Sequence, residues 1–213
     1  MYRLRLDQFV KVQKIREKVA RDLHDDMGST LSTINILSEM AKLKVKSHPD
    51  SAEDYIGKIS DNSVRMMEAM DDIVWSIKPS NDSIQKITVR MREFAAGILE
   101  PKNIEYSFIL DENVKDLVLN MEARRDVFLI FKEAINNLAK YSQASTALIH
   151  FYQKDRKLIL KIEDDGKGFL MNDIVPGNGL LNMKKRSEKL KGSFTIHSEI
   201  NAGTKICLKL PLT

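Results

Sequence analysis

The sequence predicts two parts of different fold class. Residues 1–78 are predicted to form an antiparallel helical hairpin, and residues 79–213 an α+β domain built as an α/β sandwich. Before residue 78, apolar residues recur at three- and four-residue steps, as on amphipathic helices. Beyond it, alternating strand-like runs are interleaved with helical ones. The turn-rich segments 47–51 and 78–83 interrupt these patterns.

The first helix is predicted over about residues 6–45 from its continuous apolar stripe. Pro49 stops this helix, and the Asp or Ser that follows can cap a second one, whose apolar positions over 56–77 repeat as heptads. A hairpin of two helices leaves each stripe open on one side. Pairing with a second copy would cover both stripes in a four-helix bundle, so we expect a homodimer built through residues 6–77.

The second part is predicted to place its helices on one face of a mixed or antiparallel sheet. Its expected elements, in chain order, are a strand at 104–110, a helix at 121–141, a hairpin of strands 147–152 and 158–162, a helix at 180–190, and closing strands at 194–196 and 206–210.

Composition limits the classes of function. The chain has 213 residues, of which 43% are hydrophobic, and a single Cys, so an internal disulfide is excluded and a structural zinc site is not expected. The 13 basic and 13 acidic residues up to residue 78 cancel, so the whole net charge of +4 falls in the second part. No long block of one sign occurs, which disfavours nucleic-acid binding. The longest apolar run, 94–99, is too short to span a bilayer.

The predicted helix 121–141 has an apolar face and a polar one. Its apolar stripe includes Phe128 and Phe131. At about 100° per residue, Glu133, Asn137 and Lys140 fall within an arc of about 60° on the other side. A solvated surface is the ordinary interpretation of such a face. The alternative is a site that combines a carboxylate, an amide and an ammonium group.

Two glycine-containing loops follow. The first, Asp164-Asp165-Gly166-Lys167-Gly168, comes directly after a strand and suits a place where the backbone approaches another group closely, although an ordinary turn has the same pattern. The second, Gly177-Asn178-Gly179-Leu180, opens a helix. Free N–H groups and a positive dipole end make such a helix start suitable for phosphate, and a flexible loop is the alternative.

Taken in this order, the three polar motifs resemble the GHKL ATPase superfamily over residues 100–213. The segment 21–31, Arg-Asp-Leu-His-Asp-Asp-Met-Gly-Ser-Thr-Leu, resembles the phosphoacceptor box of sensor histidine kinases, in the subfamily whose His is followed directly by an acid. Residues 72–79 and 90–94 are similar to the same subfamily. The resemblance implies a dimerising phosphoacceptor hairpin followed by a GHKL (Bergerat-type) α+β ATP-binding domain.

The resemblance implies a role for each matching residue. His24 would accept the phosphoryl group, and Asp25 would accept a hydrogen bond from the other ring nitrogen. Asp164 would accept a hydrogen bond from the adenine amino group. Other positions implied are Asn137 as a Mg²⁺ ligand, Glu133 as an acid near the metal, and Lys140, Tyr141, Gly166, Gly168, Gly177, Gly179, Leu180 and Thr204 as nucleotide-binding residues.

The implied function is the catalytic core of a two-component sensor histidine kinase. Such a core phosphorylates His24 from Mg-ATP and passes the phosphoryl group to an aspartate of a response-regulator receiver domain. Two alternatives stay open: a non-catalytic ATP-binding module on a dimer scaffold, and a signal-relay coiled coil without nucleotide. Ser29 occupies a position where many members have a Gln that orients water for phosphatase action. The start within a helical repeat suggests the cytoplasmic portion of a membrane-anchored bacterial sensor.

Overall fold

The computed structural model describes Gly28 and residues 30–78, 83–170 and 178–212. The chain divides into two compact units, Met1–Ile77 and Lys78–Thr213. The first unit is helical, and the second contains both helices and a β-sheet. Among the residues that are described, no helix combines the length and the apolar character needed to cross a membrane.

The described part of the first unit contains two helices, α1 over 30–44 and α2 over Pro49–Ile77. Pro49 was expected to stop the first helix, and in the structure it is also the first residue of α2. This position suits proline because the first turn of a helix requires no N–H donor from it. The two predicted helices with a short break are therefore confirmed over 30–77, while the earlier part of the first predicted helix lies outside the described residues.

Apolar side chains of the first unit are mostly exposed in the single chain. Ala41, Ala52 and Ile73 are its buried apolar residues in the described range. By contrast, the exposed large apolar residues are Leu31, Ile36, Met40, Leu43, Val45, Ile56, Val64, Met67, Met70 and Val74. An amphipathic helix gains stability chiefly by burying its apolar face. Both helices of this unit therefore carry apolar surface that the unit itself does not cover.

The second unit has a five-stranded mixed sheet in the order β1-β2-β3-β5-β4. The pair β1/β2 is parallel, and the other three pairs are antiparallel. This confirms the predicted mixed sheet with all of its expected strands. Their bounds are Glu105–Leu110 (β1), Thr146–Lys154 (β2), Lys157–Asp164 (β3), Ser193–Ser198 (β4) and Thr204–Pro211 (β5).

The described residues of this unit form three α-helices: Ile84–Leu99 (α3), Met121–Asn137 (α4) and Asn178–Lys189 (α5). The last two were predicted, but the predicted elements do not include α3. The signal for α3 is nevertheless present, because Ser83 accepts a hydrogen bond from the Lys86 N–H as an N-cap. The helix then buries residues at three- and four-residue steps: Ile84, Ile87, Thr88, Met91, Ala95 and Leu99.

The core lies between the helices and one face of the sheet. Phe151, Leu160 and Leu208 are neighbours on three adjacent strands, and all three are buried. On the opposite face, Lys205 and Lys209 are exposed. The helices thus cover a single face, as predicted. Aromatic rings fill the helix side of this core, with the contacts Phe94–Phe128, Phe94–Phe131, Phe108–Phe131 and Phe108–Phe151 at 6.0–6.3 Å between ring centroids.

Replacing Phe151 by Ala tests the importance of this aromatic core. Phe151 is fully buried and stacks on Phe108, so the variant is expected to lose about 3–5 kcal/mol of unfolding free energy. Urea denaturation followed by circular dichroism measures this loss. The control Val118→Ala removes a side chain that is 68% exposed and should change stability by less than about 0.5 kcal/mol. Equal effects of the two variants would contradict this account of the core.

Candidate functional site

A cavity of about 550 Å³ lies between α4, the start of α5 and the buried face of the sheet. Its polar lining comes from Glu133 and Asn137 on α4 and from Asp164 at the end of β3. Its apolar lining includes Leu138, Ile162, Phe169, Leu180, Ile196 and Ile206. An apolar cavity of this size with a few polar groups suits a small organic ligand that has a flat apolar part.

The carboxylate of Asp164 is fixed by backbone donors. Its Oδ1 accepts hydrogen bonds from the N–H groups of Gly166 at 2.9 Å and Thr204 at 3.3 Å. Burial raises the pKa of Asp164 above its ordinary value of 3.8; the two backbone hydrogen bonds act against burial, and the charge of Asp165 adds to it. Both bonds go to Oδ1, and no described residue donates to Oδ2. The second oxygen is therefore available to a donor on a ligand.

Asp165, the next residue, has a different task. Its Oδ1 accepts hydrogen bonds from the N–H groups of Ser145 and Thr146, both at 2.8 Å. The hydrogen bond from the Thr146 backbone is the main reason that the pKa of Asp165 lies below 3.8. Asp165 thus secures the start of β2 and does not line the cavity. Of the two adjacent acids, only Asp164 is placed to meet a ligand.

Glycines around Asp164 allow very close backbone packing. Gly168 and Gly203 have φ values of +56° and +75°, a region that favours glycine. A Cβ at Gly203 would overlap with the carbonyl of Asp164, and one at Gly168 would overlap with the carbonyl of Glu199. Gly168 lines the cavity, whereas Gly166 and Gly203 are buried behind it. The predicted glycine positions therefore shape the loop that carries Asp164.

On α4, Asn137 and Glu133 lie one turn apart and contact each other. The Asn137 Nδ2 donates to Glu133 Oε1 at 3.2 Å. The amide oxygen of Asn137 takes no part in this contact. An amide oxygen beside a carboxylate suits a hard cation such as Mg²⁺ that keeps phosphate and water as its other ligands. In the described part of the chain there is no group of three or more His, Cys, Asp or Glu residues that could hold a metal. The amide oxygen of Asn137, with Glu133 beside it, fits a metal whose other ligands come from phosphate and water.

The end of α4 departs from a regular helix. Leu138–Ser142 forms a π-helical turn, which adds a residue to the turn and rotates the residues that follow. Tyr141 lines the cavity there, with 65% of its surface exposed. Lys140 is exposed and is not part of the lining. The structure therefore brings Glu133 and Asn137 together at the cavity but does not add Lys140, whose nucleotide contact stays a prediction.

The remaining predicted residues fall into two groups. Gly179, Leu180 and Thr204 line the cavity. His24, Asp25 and Gly177 lie outside the described residues, so their roles stay predictions.

Sequence reasoning missed several other lining residues. Among the polar ones, Lys167 lies in the first glycine-containing loop, and its N–H donates to the Ser142 carbonyl at 2.8 Å. The apolar ones include Ile162, Ile196 and Ile206, which are cross-strand neighbours on β3, β4 and β5. Their two-residue alternation predicts burial, but it cannot show which buried positions border a cavity.

Two family models match the chain. One, described as "Histidine kinase", matches residues 16–82, and the other, described as "Histidine kinase-, DNA gyrase B-, and HSP90-like ATPase", matches residues 122–213. The second match contains every residue that lines the cavity, and it implies that this half of the chain binds ATP.

Curated relatives match along nearly the whole chain. The sensor histidine kinase DesK of Bacillus subtilis is 30% identical over an alignment that covers 97% of this chain and 53% of that protein. The signal transduction histidine-protein kinase/phosphatase UhpB of Salmonella typhimurium is 28% identical, over 93% of this chain and 39% of that protein. The chain thus spans about half the length, or less, of these relatives.

Solved structures share the fold. The histidine kinase AdeS of Acinetobacter baumannii aligns with a TM-score of 0.60 at 16% identity, over 83% of this chain and 95% of that chain. The histidine kinase domain of a blue-light activated kinase from Erythrobacter litoralis aligns with a TM-score of 0.57 at 13% identity, over 87% of this chain and 94% of that chain. With the two family matches and the curated relatives, the helical unit and the mixed-sheet domain identify this chain as a member of the sensor histidine kinases.

Proposed function

We propose that this chain is the catalytic core of a sensor histidine kinase, which phosphorylates His24 from Mg-ATP. It would then pass the phosphoryl group to an aspartate of a response-regulator receiver domain. The observation that supports this proposal most strongly is the half-buried Asp164 carboxylate, whose Oδ1 is held by two backbone donors at the end of an apolar cavity. The proposal places this portion of the protein in the cytoplasm, where ATP is supplied.

Asp164 would select adenine. Its Oδ2 can accept a hydrogen bond from an exocyclic amino group, and such a bond to a charged acceptor contributes about 1.5–3 kcal/mol. A base with a carbonyl oxygen at the same place would be rejected, because that oxygen and Asp164 Oδ2 are both acceptors and neither can donate a hydrogen bond to the other. The flat base would lie between the isoleucines of the sheet and Tyr141, which lines the cavity and is largely exposed.

The phosphates would extend toward the start of α5. The N-terminus of this helix offers free N–H groups and the positive end of the helix dipole. Gly179, at the cavity end of α5, lies so close to Glu133 that a Cβ there would overlap with the carboxylate. Asn137, with Glu133 beside it, would hold Mg²⁺, which neutralises phosphate charge when bound.

His24 would act as the nucleophile. Imidazole has an ordinary pKa near 6.5, so its neutral form is abundant at cytoplasmic pH. One ring nitrogen would form a bond to the γ-phosphorus while the bond from that phosphorus to the oxygen of ADP breaks. The other ring nitrogen keeps its proton, and Asp25 would accept a hydrogen bond from it and stabilise the charged ring.

The exposed apolar faces of α1 and α2 support a homodimer. Ten large apolar side chains in the described range of this unit are exposed in the single chain, and a second copy would bury them in a four-helix bundle. Because the two helices of one hairpin supply half of such a bundle, the partner is proposed to be another copy of this chain.

Labelled ATP tests the kinase activity directly. With Mg²⁺, the wild-type chain is expected to acquire a label that is lost in acid and kept in base, as for phosphohistidine. His24→Gln should abolish the label, because it removes the nucleophile. His48→Gln is the matched control: His48 is exposed in the turn between α1 and α2, and its loss should leave labelling intact. Equal labelling of His24→Gln and wild type would refute the role of His24, whereas ATP binding without any label would favour the non-catalytic module.

The two adjacent acids provide a test of the binding site. Asp164→Asn should abolish ATP binding measured by calorimetry, because an amide NH₂ replaces the acceptor Oδ2. Its Tm without ATP at pH 7 should be equal to or above that of wild type, since the raised pKa of Asp164 means that its ionised form is disfavoured by folding. This difference should vanish below about pH 4, where the wild-type Asp164 side chain is protonated and therefore uncharged, like Asn.

Asp165→Asn is the matched control and should behave in the opposite way. The lowered pKa of Asp165 means that its ionised form stabilises the fold above the ordinary pKa, and that this stabilisation is lost as pH falls through the lowered value. The variant should therefore have a lower Tm at pH 7 and still bind ATP. If Asp165→Asn abolished binding and Asp164→Asn did not, the assignment of the two acids would be wrong.

A further inference from the structure

We propose that Asp126 is a positioning residue for the nucleotide site: it holds α5 against α4 in the register that places Gly179 beside Glu133. This inference rests on the proposed function, in which the cavity binds ATP. Asp126 itself does not line the cavity. It would act through α5, whose first residues do.

Asp126 is a buried carboxylate with two cationic partners. It lies on α4 with 1% of its surface exposed, and its Oδ1 accepts a hydrogen bond from Arg186 Nη1 at 2.8 Å. Its Oδ2 accepts one from Lys189 Nζ at 3.1 Å. Lys189 also pairs with Glu122 at 3.0 Å. Both oxygens of Asp126 are thus bound by side chains of α5, the helix that frames the cavity.

The two contacts between α4 and α5 have matched spacing. Asp126 precedes Glu133 by seven residues on α4, and Gly179 precedes Arg186 by seven residues on α5. Seven residues are about two turns, or roughly 10 Å, so each pair lies on one face of its helix. Because Asp126 contacts Arg186 and Glu133 contacts Gly179, the helices run antiparallel. A contact at one end therefore determines which residue of α5 meets Glu133 at the other.

The ion pairs of the buried Asp126 carboxylate specify this register more sharply than apolar packing does. Met183, which lies between the two contacts on α5, is also buried, but a flexible thioether side chain adapts to small shifts. If the register of α5 against α4 changed by one residue, a neighbour of Arg186 would take its place on the contacting face, and Arg186 would point about 100° away from Asp126. The buried carboxylate would then lack its partner, which is strongly unfavourable.

Lys189 remains charged in this arrangement. Burial lowers its pKa, but the hydrogen bonds and charges of Glu122 and Asp126 outweigh burial, so that the pKa of Lys189 is raised. Asp126 therefore keeps two cations on α5 over the physiological pH range. The anchor does not depend on a proton that is gained or lost near neutral pH.

The test compares Asp126→Asn, Arg186→Gln and the double variant in the full chain. The Kd for ATP with MgCl₂ is measured by calorimetry, and hydrogen exchange of the α5 amides is measured without ATP. Asp126→Asn should raise the Kd about fivefold to tenfold and speed exchange in α5. Arg186→Gln should have the larger effect, because it leaves the buried carboxylate short of a partner. The double variant should recover part of the affinity lost in Arg186→Gln.

Val114→Ala is the structural control. Val114 is fully buried in the turn before α4 and does not line the cavity. Its replacement should lower Tm while the Kd for ATP stays within about twofold of wild type. Wild-type affinity in Asp126→Asn, or exchange that rises throughout the second unit as in Val114→Ala, would overturn the positioning role. If the wild-type chain did not bind ATP, the proposed function would fail, whereas loss of this inference alone would leave wild-type binding intact.

Discussion

The second unit is organised around one constraint: a half-buried carboxylate must be held at the end of an apolar cavity. Asp164 meets it by accepting hydrogen bonds from the N–H groups of Gly166 and Thr204. Gly166 lies in the loop after β3, and Thr204 begins β5 directly after the loop that contains Gly203; the two come together because β3 and β5 are neighbours in the sheet. Gly203 allows the second loop to approach, since any side chain there would overlap with the backbone of Asp164. Sheet order and glycine positions thus hold the same carboxylate in place.

The helices complete what the sheet cannot supply. The sheet provides the acceptor and an apolar wall, and α4 provides Glu133 and Asn137 on the facing side. The aromatic contacts of Phe128 and Phe131 fix α4 through its other face. Polar chemistry and core packing are therefore separated by about half a helical turn on one element. Such separation lets rigid packing orient the polar groups without burying them unpaired.

Much of this arrangement follows from local patterns, and the remainder does not. The two faces of α4 were predictable because its period of 3.6 residues is strong and uninterrupted. The position of Lys140 was not, because a π-helical turn changes the phase after Asn137 without any marker in composition. The isoleucine wall was also hidden: alternation identifies buried positions, but strand order decides which of them border the cavity. Long-range pairing, which no local pattern records, determines the latter.

The π-helical turn Leu138–Ser142 also restricts how this chain can evolve. One extra residue within a helix is the difference between a π-turn and an α-turn. A deletion there would restore regular α-helix and turn Tyr141 by about 100° relative to the cavity. It would also move the Ser142 carbonyl away from the Lys167 N–H, which donates a hydrogen bond to it. The length of the chain between Asn137 and β2 is therefore under the same selection as the side chains themselves, and related sequences should tolerate substitutions here more readily than insertions or deletions.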